Sequence, residues 1–397
     1  MDTLLGIVSN IYTRRFEEDF LDRVNYQFTA YLFAFGSIII TSKLYMGRPI
    51  VCWTPAEFRG GWVEYTMDYC LIENTYYVPL NDPNLPNIPH REKQELPYYQ
   101  WVQFVLVLLA FCFYLPHIYW RSVNWWSGIQ LRAIVRASCE LPKEDVTQRE
   151  RAIEKIAGHI YRATHRNYKN AGSFFQNFMR EGWMSLNYLA MKLMFVVNIV
   201  LQILVLHLFL GFDWGDLLHL KLGFNTDWKA TGLFPRSTMC DFEVRNKGNL
   251  QRYSVQCVLS LNMFNEKIFL VLFYWLILLF FVTLVNFCLW VKNLHSRTDQ
   301  LAFVRRMLES AGVQRQKHVY IKDESEKQPL SCSGDIDNSI NNMKKFEKFE
   351  ESVDRDLIVI LRLISSNAGA NVCSDVTKSL FDRVGFLLCC SAGDVIS

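Results

Sequence analysis

The residues from Pro97 to Trp120, PYYQWVQFVLVLLAFCFYLPHIYW, contain no Asp, Glu, Lys or Arg. An α-helix rises about 1.5 Å per residue, so roughly 20 residues cross the ~30 Å hydrocarbon core of a bilayer. Aromatic rings stand near both ends, with Tyr98 and Tyr99 at the start and Tyr119 at the finish, as expected at headgroup depth. Buried helices of soluble proteins are usually shorter and interrupted by charge. The segment is therefore predicted to span a membrane.

Three other segments pass the same test. The uncharged runs are Val24 to Ser42, Leu193 to Phe212 and Ile268 to Val291. With their flanking residues, they and the first segment predict four transmembrane helices, at residues 24–44, 98–120, 188–212 and 268–291. In the second of these, Pro116 leaves the carbonyl of Cys112 without its usual N–H donor, so a helix kink is predicted there. The predicted fold class is an all-α membrane protein with four transmembrane helices.

The polar segments between the predicted helices differ in charge. Residues 121–192 contain 12 Lys or Arg and 6 Asp or Glu, whereas residues 43–95 contain 5 and 7. Because cytoplasmic loops carry an excess of positive charge, residues 121–187 are predicted to form a cytoplasmic loop. Four crossings then place both termini in the cytoplasm. Residues 45–97 and 213–267 become extracellular loops 1 and 2.

Both ends of the chain are polar. Residues 1–23 lack the apolar core and cleavage site of a signal peptide. They instead carry apolar residues at helical spacing, which predicts a short amphipathic helix that could lie on the inner leaflet. These residues are Leu4, Ile7, Val8 and Ile11. Residues 292–397 are predicted to form a helical cytoplasmic region, with a flexible linker at 322–345 that is rich in Ser, Asp, Asn and Lys.

The cysteines support this topology. Of the 11 in the chain, Cys52 and Cys70 lie in the first predicted outward loop, and Cys240 and Cys257 lie in the second. Cysteines outside the cell oxidise stably, so the sequence predicts a small disulfide-linked extracellular domain. Four cysteines permit three pairings, and their spacing does not choose between bonds within a loop and bonds between loops. A zinc site is the alternative, but the chain has no CxxC spacing.

Two ionisable residues lie near the ends of predicted helices. Lys192 is expected to extend toward the lipid headgroups, and His117 is expected to be neutral and to face the bundle or the interface. The chain contains no P-loop, HExxH, nucleophile elbow or dinucleotide fingerprint. No enzymatic activity, catalytic residue, cofactor or metal site is therefore predicted.

Several motifs resemble those of the innexins, the invertebrate gap-junction channel proteins. The signature is YYQWV at residues 98–102, followed by a helix that ends FYLPHIYWR at 113–121. GRPIVCWTPAEF (47–58), YCLIENTYYVPL (69–80) and EDFLDRVNYQFT (18–29) are similar to the family in the same way. Two cysteines in each outward loop also fit innexins, whereas connexins carry three. Gln103 departs from the family, since many innexins have proline there.

The resemblance implies how such a chain works. Innexin subunits, about eight per ring, assemble around a central pore, and rings on apposed cells dock through their extracellular loops and pass ions and small solutes between cytoplasms. The expected partners are other innexin subunits of the same or another kind, the docking hemichannel and membrane lipid, with no nucleic acid. The resemblance also implies bonds between the loops, Cys52 with Cys257 and Cys70 with Cys240. The protein is thus expected in gap junctions of the plasma membrane.

The family also places residues 1–23 as a helix in the cytoplasmic pore mouth, in competition with the inner leaflet. Asp2, repeated around a ring, would then attract cations, although an Asp before an apolar periodic run is also a good helix N-cap. Two other functions remain open at this point. One is an undocked channel of the kind formed by pannexins, and the other is a non-conducting adhesion or scaffold protein of the membrane.

Overall fold

The computed structural model describes residues 18–79, 85–126, 129–169, 182–211, 234–313 and 345–393. Within these residues, four helices are long and apolar enough to cross a membrane. They are α1 (Phe20–Met46), α4 (Val102–Trp126), α7 (Trp183–Leu210) and α8 (Ser260–His295). This confirms the predicted four-helix membrane architecture. The helices begin or end beyond the predicted boundaries; α8, for example, begins at Ser260 rather than at residue 268.

The first long helix is irregular near its start. Its first turn is α-helical, Val24–Phe28 forms a π-helical turn, and α-helix resumes over Thr29–Met46. A π-turn places one extra residue in the turn, which leaves a carbonyl without its usual partner. Here the Thr29 hydroxyl donates to the carbonyl of Val24 at 2.9 Å and satisfies it.

The described residues divide into two compact units. One contains the described parts of Val24–Pro116 and Met194–Leu284 and is called the sheet unit. The other contains those of Met1–Arg23, His117–Leu193 and Val285–Ser397 and is called the helical unit.

The sheet unit contains a three-stranded antiparallel sheet in the order β1-β3-β2, with β1 at Ile50–Trp53, β2 at Ser237–Asn246 and β3 at Asn249–Leu259. The turn between β2 and β3 has positive φ at both Lys247 (52°) and Gly248 (87°). Two such residues are what a type I′ turn requires, and its twist matches that of a hairpin. The sequence predicted a small disulfide-linked domain here but not its strands, because β1 is only four residues long and pairs with a strand that begins about 200 residues later.

Two short helices accompany the sheet. They are α2 (Gly60–Glu73) and α3 (Ile88–Glu92). The core of the unit is continuous from the helical spans to the sheet and includes Phe33 and Leu106 on the spans and Val255 and Leu259 on β3. The strands are therefore held by the same apolar cluster as the membrane helices.

The helical unit contains the remaining described helices. They are α5 (Leu131–Glu140), α6 (Val146–Lys169), α9 (Arg297–Ser310), α10 (345–352), α11 (Arg355–Ala368) and α12 (Ala370–Gly393). Helix α11 is apolar almost all round its middle, and every residue from Leu357 to Leu361 is at most 5% exposed. A helix of this kind forms the centre of a domain, and α5, α6 and α12 pack around it.

Candidate functional site

The sheet unit joins the two segments that the charge pattern assigns to the outside of the cell. Cys52 on β1 lies directly opposite Cys257 on β3 and forms a disulfide with it. Cys70 on α2 forms a second disulfide with Cys240 on β2. Each bond links residues 45–97 to residues 213–267, across 205 and 170 residues of chain. Cross-links over such long separations restrict the unfolded chain strongly, so they favour one fixed arrangement of the two segments.

The two disulfides lie side by side inside the unit. The sulfur atoms of Cys52, Cys70 and Cys257 are all within 4.8 Å of one another, and the side chains are buried. Sulfurs bonded to each other carry no thiolate charge for a metal ion. The arrangement in this part of the structure is thus a cross-linked core, and it offers no cysteine ligands for zinc.

A polar cluster attaches the end of the first loop to the β2–β3 hairpin. The backbone of Tyr76 pairs with that of Met239, and the Tyr76 hydroxyl donates to Oδ1 of Asp241 at 3.0 Å. Nη1 of Arg91, on α3, donates to Oδ2 of the same carboxylate at 2.8 Å. Burial alone would raise the pKa of Asp241, but the hydrogen bonds from Ser254, Arg91 and Tyr76 outweigh it and lower that pKa. Asp241 is therefore a charged anchor.

Burial and the negative charge of Asp241 raise the pKa of Tyr76 to about 12. The phenol thus remains a hydrogen-bond donor at physiological pH. The neutral Tyr76 hydroxyl and the cationic Arg91 side chain both donate to the carboxylate of Asp241. These bonds hold the residues around Tyr76 and Arg91 against strand β2. Two described parts of the first outward loop, the residues around Tyr76 and helix α3, are thereby attached to β2.

Aromatic side chains fill the space between α2 and the hairpin. Phe58 packs edge-on against Trp62 and Tyr253, with ring centroids 5.5 and 5.1 Å apart, and Phe242 stacks on Tyr253 at 5.6 Å. Edge-to-face and offset ring pairs of this kind add stability beyond that of burial alone. The disulfide from Cys70 and this aromatic cluster together fix α2 on the sheet.

The hairpin turn is distant from the helix that follows the sheet. Leu259, the last residue of β3, is followed directly by the first residue of α8. The 11 residues of β3 span roughly 36 Å at about 3.3 Å per residue, so the Lys247–Gly248 turn lies far from Ser260, the first residue of α8. The turn region is exposed and mostly basic, with Arg245, Lys247 and Arg252 around it and Glu243 as the acidic neighbour.

Helix α2 presents the opposite charge. Its exposed residues include Glu64, Asp68 and Glu73, and no Lys or Arg lies between Gly60 and Glu73. The sheet unit thus carries a basic hairpin tip and an acidic helix on its described surface. Trp62 and Tyr65, on the same helix, are each about half exposed.

The structure places the predicted site residues as follows. The four loop cysteines are brought together in two bonds, as described above. Pro116 lies inside α4, and the kink there remains a prediction. Asp2 and the predicted pore helix up to residue 17 lie outside the described residues, as does most of the predicted linker.

The expectation for Lys192 is wrong. Its side chain is 1% exposed, with Nζ 2.8 Å from Oδ1 of Asp22, and it lies 5.1 and 5.2 Å from the ring centroids of Tyr188 and Trp290. A buried ammonium group needs a partner, and the carboxylate supplies it. Sequence reasoning missed this pair, although its signal was visible: acidic residues just before one apolar run and a lone lysine beside another.

These features define a multi-pass membrane protein with a disulfide-linked sheet and a helical domain. The chain belongs to the innexin family: the family model described as Innexin matches residues 18–384. Three relatives from Caenorhabditis elegans agree with this assignment. Innexin unc-9 is 34% identical over 378 residues (92% of each chain), Innexin-3 is 32% identical (93% of this chain, 84% of the relative), and Innexin eat-5 is 33% identical (96% and 90%).

The predicted family is therefore confirmed. Innexins are subunits of gap-junction channels, so this chain is a gap-junction channel subunit of the membrane and acts as part of an oligomer. The family is a channel family rather than a family of enzymes.

Proposed function

We propose that about eight copies of this chain, alone or with other innexins, form a closed ring around an aqueous pore in the plasma membrane. Two rings on apposed cells dock through their sheet units and pass ions and small solutes between the cytoplasms. The observation that carries this proposal is the pair of disulfides linking both outward segments in one sheet. Pre-ordered loops lose little conformational freedom on contact, which favours docking.

The same two disulfides support the proposed orientation of the chain in the membrane. Stable disulfides belong on the extracellular side, so the sheet unit faces outward. The basic segment 121–192 then faces the cytoplasm, together with both termini. In this topology the hairpin tip is proposed to face the opposite cell.

Charge suggests how the docking surfaces meet. Identical basic tips repel each other when they face directly, whereas a basic tip is attracted to the acidic residues of α2. A two-fold axis between the rings allows each tip to contact the α2 helix of a subunit opposite, and the reverse contact follows by symmetry. Lys247 and Asp68 are the residues proposed to approach each other in this way.

The N-terminal residues are proposed to enter the cytoplasmic pore mouth. In that position Asp2, repeated in every subunit, forms a ring of negative charge that favours cations. Asp2→Asn retains the ability to cap a helix but removes the charge. A lower preference for cations in the variant supports the charged ring, and an unchanged preference assigns to Asp2 only a capping role.

Junctional conductance between paired cells tests the proposal. Both cells lack endogenous junctions and express only this chain, and surface labelling confirms delivery to the membrane. We expect coupling with the wild type, loss of coupling with Cys70→Ser, and retained coupling with Cys139→Ser, which changes a cysteine outside the disulfides. Coupling that survives Cys70→Ser would contradict the role of the disulfides.

The alternatives give different results in the same cells. Single-cell currents without junctional currents indicate an undocked, pannexin-like channel. The absence of both currents, with adhesion between the cells, indicates a scaffold protein.

A further inference from the structure

Three acidic residues, two just before α1 and one in its first turn, contact three different membrane helices. Glu18, Asp19 and Asp22 lie within five consecutive residues, and their side chains meet α4, α8 and α7 respectively. All these residues belong to the helical unit. We call the three acids and their partners the acidic hub. Such an arrangement holds the beginning of the first span to all the others.

The contact with α7 is an ion pair out of contact with solvent. Lys192 and Asp22 are each 1% exposed, and the Tyr188 hydroxyl donates to Oδ2 of Asp22 at 3.1 Å. Asp19 adds a second carboxylate, with Oδ2 3.5 Å from Lys192 Nζ. Breaking a buried pair by removing one partner leaves an uncompensated charge, which costs much more than losing an exposed pair. The contact therefore has one strongly preferred geometry.

The contacts with α4 and α8 are equally specific. Nδ1 of His117 lies 2.6 Å from Oε1 of Glu18, and both side chains are at most 4% exposed. Nε1 of Trp290 donates to Oδ2 of Asp19 at 3.1 Å, while the Trp290 ring packs against Tyr188 at 4.7 Å. Directional hydrogen bonds between buried and partly buried groups fix the rotation of the first turn of α1 as well as its distance from the helices that it contacts.

Helix α11, in the C-terminal part of the chain, adds a fourth attachment. Nδ2 of Asn367, in its last turn, donates to the backbone carbonyl of Glu18 at 3.2 Å. At the other end of α11, Asp356 accepts from the backbone N–H of Ser185 at 2.8 Å, at the start of α7. One buried helix thus contacts the first residues of two membrane spans.

From these contacts we infer that the acidic hub positions the N-terminal pore segment. It determines the direction in which residues 1–17 leave α1, and Asn367 links that direction to the C-terminal helices. This inference rests on the proposed location of the N-terminal segment in the pore mouth. The residues concerned are positioning residues: none is proposed to contact the permeating ions.

The test measures how readily the N-terminus is reached from the pore. Asp2→Cys is introduced, and one cell of a coupled pair is perfused with a charged thiol reagent while junctional current is recorded. The rate of modification per channel reports the position of residue 2 and does not depend on how many channels reach the membrane. The chain with Asp2 intact supplies the background rate from its other cysteines.

We expect Lys192→Met to change that rate by about fivefold or more, as for a modest coupling between sites. The double variant Asp22→Lys with Lys192→Asp, which restores the opposite charges, is expected to return the rate to near its original value. Arg136→Met is the matched control, because Arg136 pairs with Glu140 on the exposed surface of α5. An unchanged rate in the conducting Lys192→Met channel would overturn the inference.

A second variant and a second readout apply if Lys192→Met does not conduct. Asn367→Ala removes the hydrogen bond to the carbonyl of Glu18, together with the bonds of the same amide to Leu363 and Ser366 within α11, and is expected to change the modification rate in the same direction. Amide hydrogen exchange of the full chain in detergent is expected to be faster at residues 19–22 in both variants. If both exchange like the wild type, the hub does not hold the start of α1. A wild-type chain that conducts no current would instead contradict the proposed function.

Discussion

Cys52 and Cys257 are directly paired residues of β1 and β3, with Cα atoms 3.9 Å apart, and their side chains are bonded to each other. A disulfide between two registered strands determines which residues of β1 face those of β3. A register shift by one residue would move Ile50 and Cys52 out of the core and expose them. The bond therefore fixes the alignment of a strand that is only four residues long.

Replacing Cys52 is predicted to destabilise the sheet unit. Cys52→Ser removes a cross-link that closes a loop of more than 200 residues, and the expected loss in the free energy of unfolding is about 3 kcal/mol. Thermal unfolding of the full chain in detergent measures it. Cys139→Ser, which affects no disulfide, is expected to unfold like the wild type. Equal unfolding temperatures for both variants would show that the bond contributes nothing.

Asp241 is predicted to make the sheet unit sensitive to acid. Its pKa in the folded chain lies below the ordinary value of 3.8. The stabilisation is thus fully present above pH 3.8 and is lost as the pH falls through the folded pKa. Asp241→Asn should be less stable than the wild type at pH 7, and the difference should shrink by pH 3. Denaturant unfolding at both pH values gives the two differences.

Glu243→Gln is the control for that experiment. Glu243 lies on the same strand but is exposed, and its ion pair with Arg252 is long at 3.9 Å. Little change in stability is expected at either pH, because exposed pairs contribute little. A difference for Asp241→Asn that stays constant between pH 7 and pH 3 would refute the charged anchor.

Replacement of glycine by alanine is predicted to affect stability differently at Gly248, in the hairpin turn, and at Gly61, in α2. Gly248 has φ of 87°, so Gly248→Ala forces a side chain into a strained conformation and should destabilise the hairpin by about 1 kcal/mol. Gly61 lies in the first turn of α2 with no atom within 4 Å of an added Cβ. Gly61→Ala should be neutral or slightly stabilising. Thermal unfolding of the two variants side by side checks the prediction, which fails if their order is reversed.

Charge reversal at the hairpin tip is predicted to disrupt docking without affecting folding. Lys247→Glu replaces a basic residue opposite the proposed acidic helix, so coupling between two cells that express the variant should be lost. Surface delivery should be unchanged because the side chain is exposed. A cell expressing Lys247→Glu with Asp68→Lys, paired with another of the same kind, should regain coupling. If the double variant reaches the cell surface normally but does not couple the cells, the proposed contact is excluded.

Much of the architecture was predictable from local sequence. Uncharged runs of about 20 residues have few alternatives to crossing a membrane, since a helix satisfies its own backbone hydrogen bonds. The family motifs at residues 47–58 and 98–102 identified the class of channel. Both kinds of signal lie in adjacent residues, so no knowledge of tertiary contacts is needed to find them.

The strands and the acidic hub required the tertiary structure. Strand β1 becomes a strand only because β3, distant in sequence, supplies its hydrogen-bond partners. Lys192 has the sequence context of a residue that reaches the headgroups, yet the carboxylate of Asp22 and the rings of Tyr188 and Trp290 surround it.

The sequence by itself thus determined that this chain is a four-span membrane protein of a gap-junction family. Hydrophobic length and short motifs are properties of neighbouring residues. Only the tertiary structure decided how two distant loops form one sheet and how a lysine and an aspartate, 170 positions apart along the chain, neutralise each other. The physical reason is that the free energy of a buried charge or an unpaired strand depends on the groups that folding brings beside it.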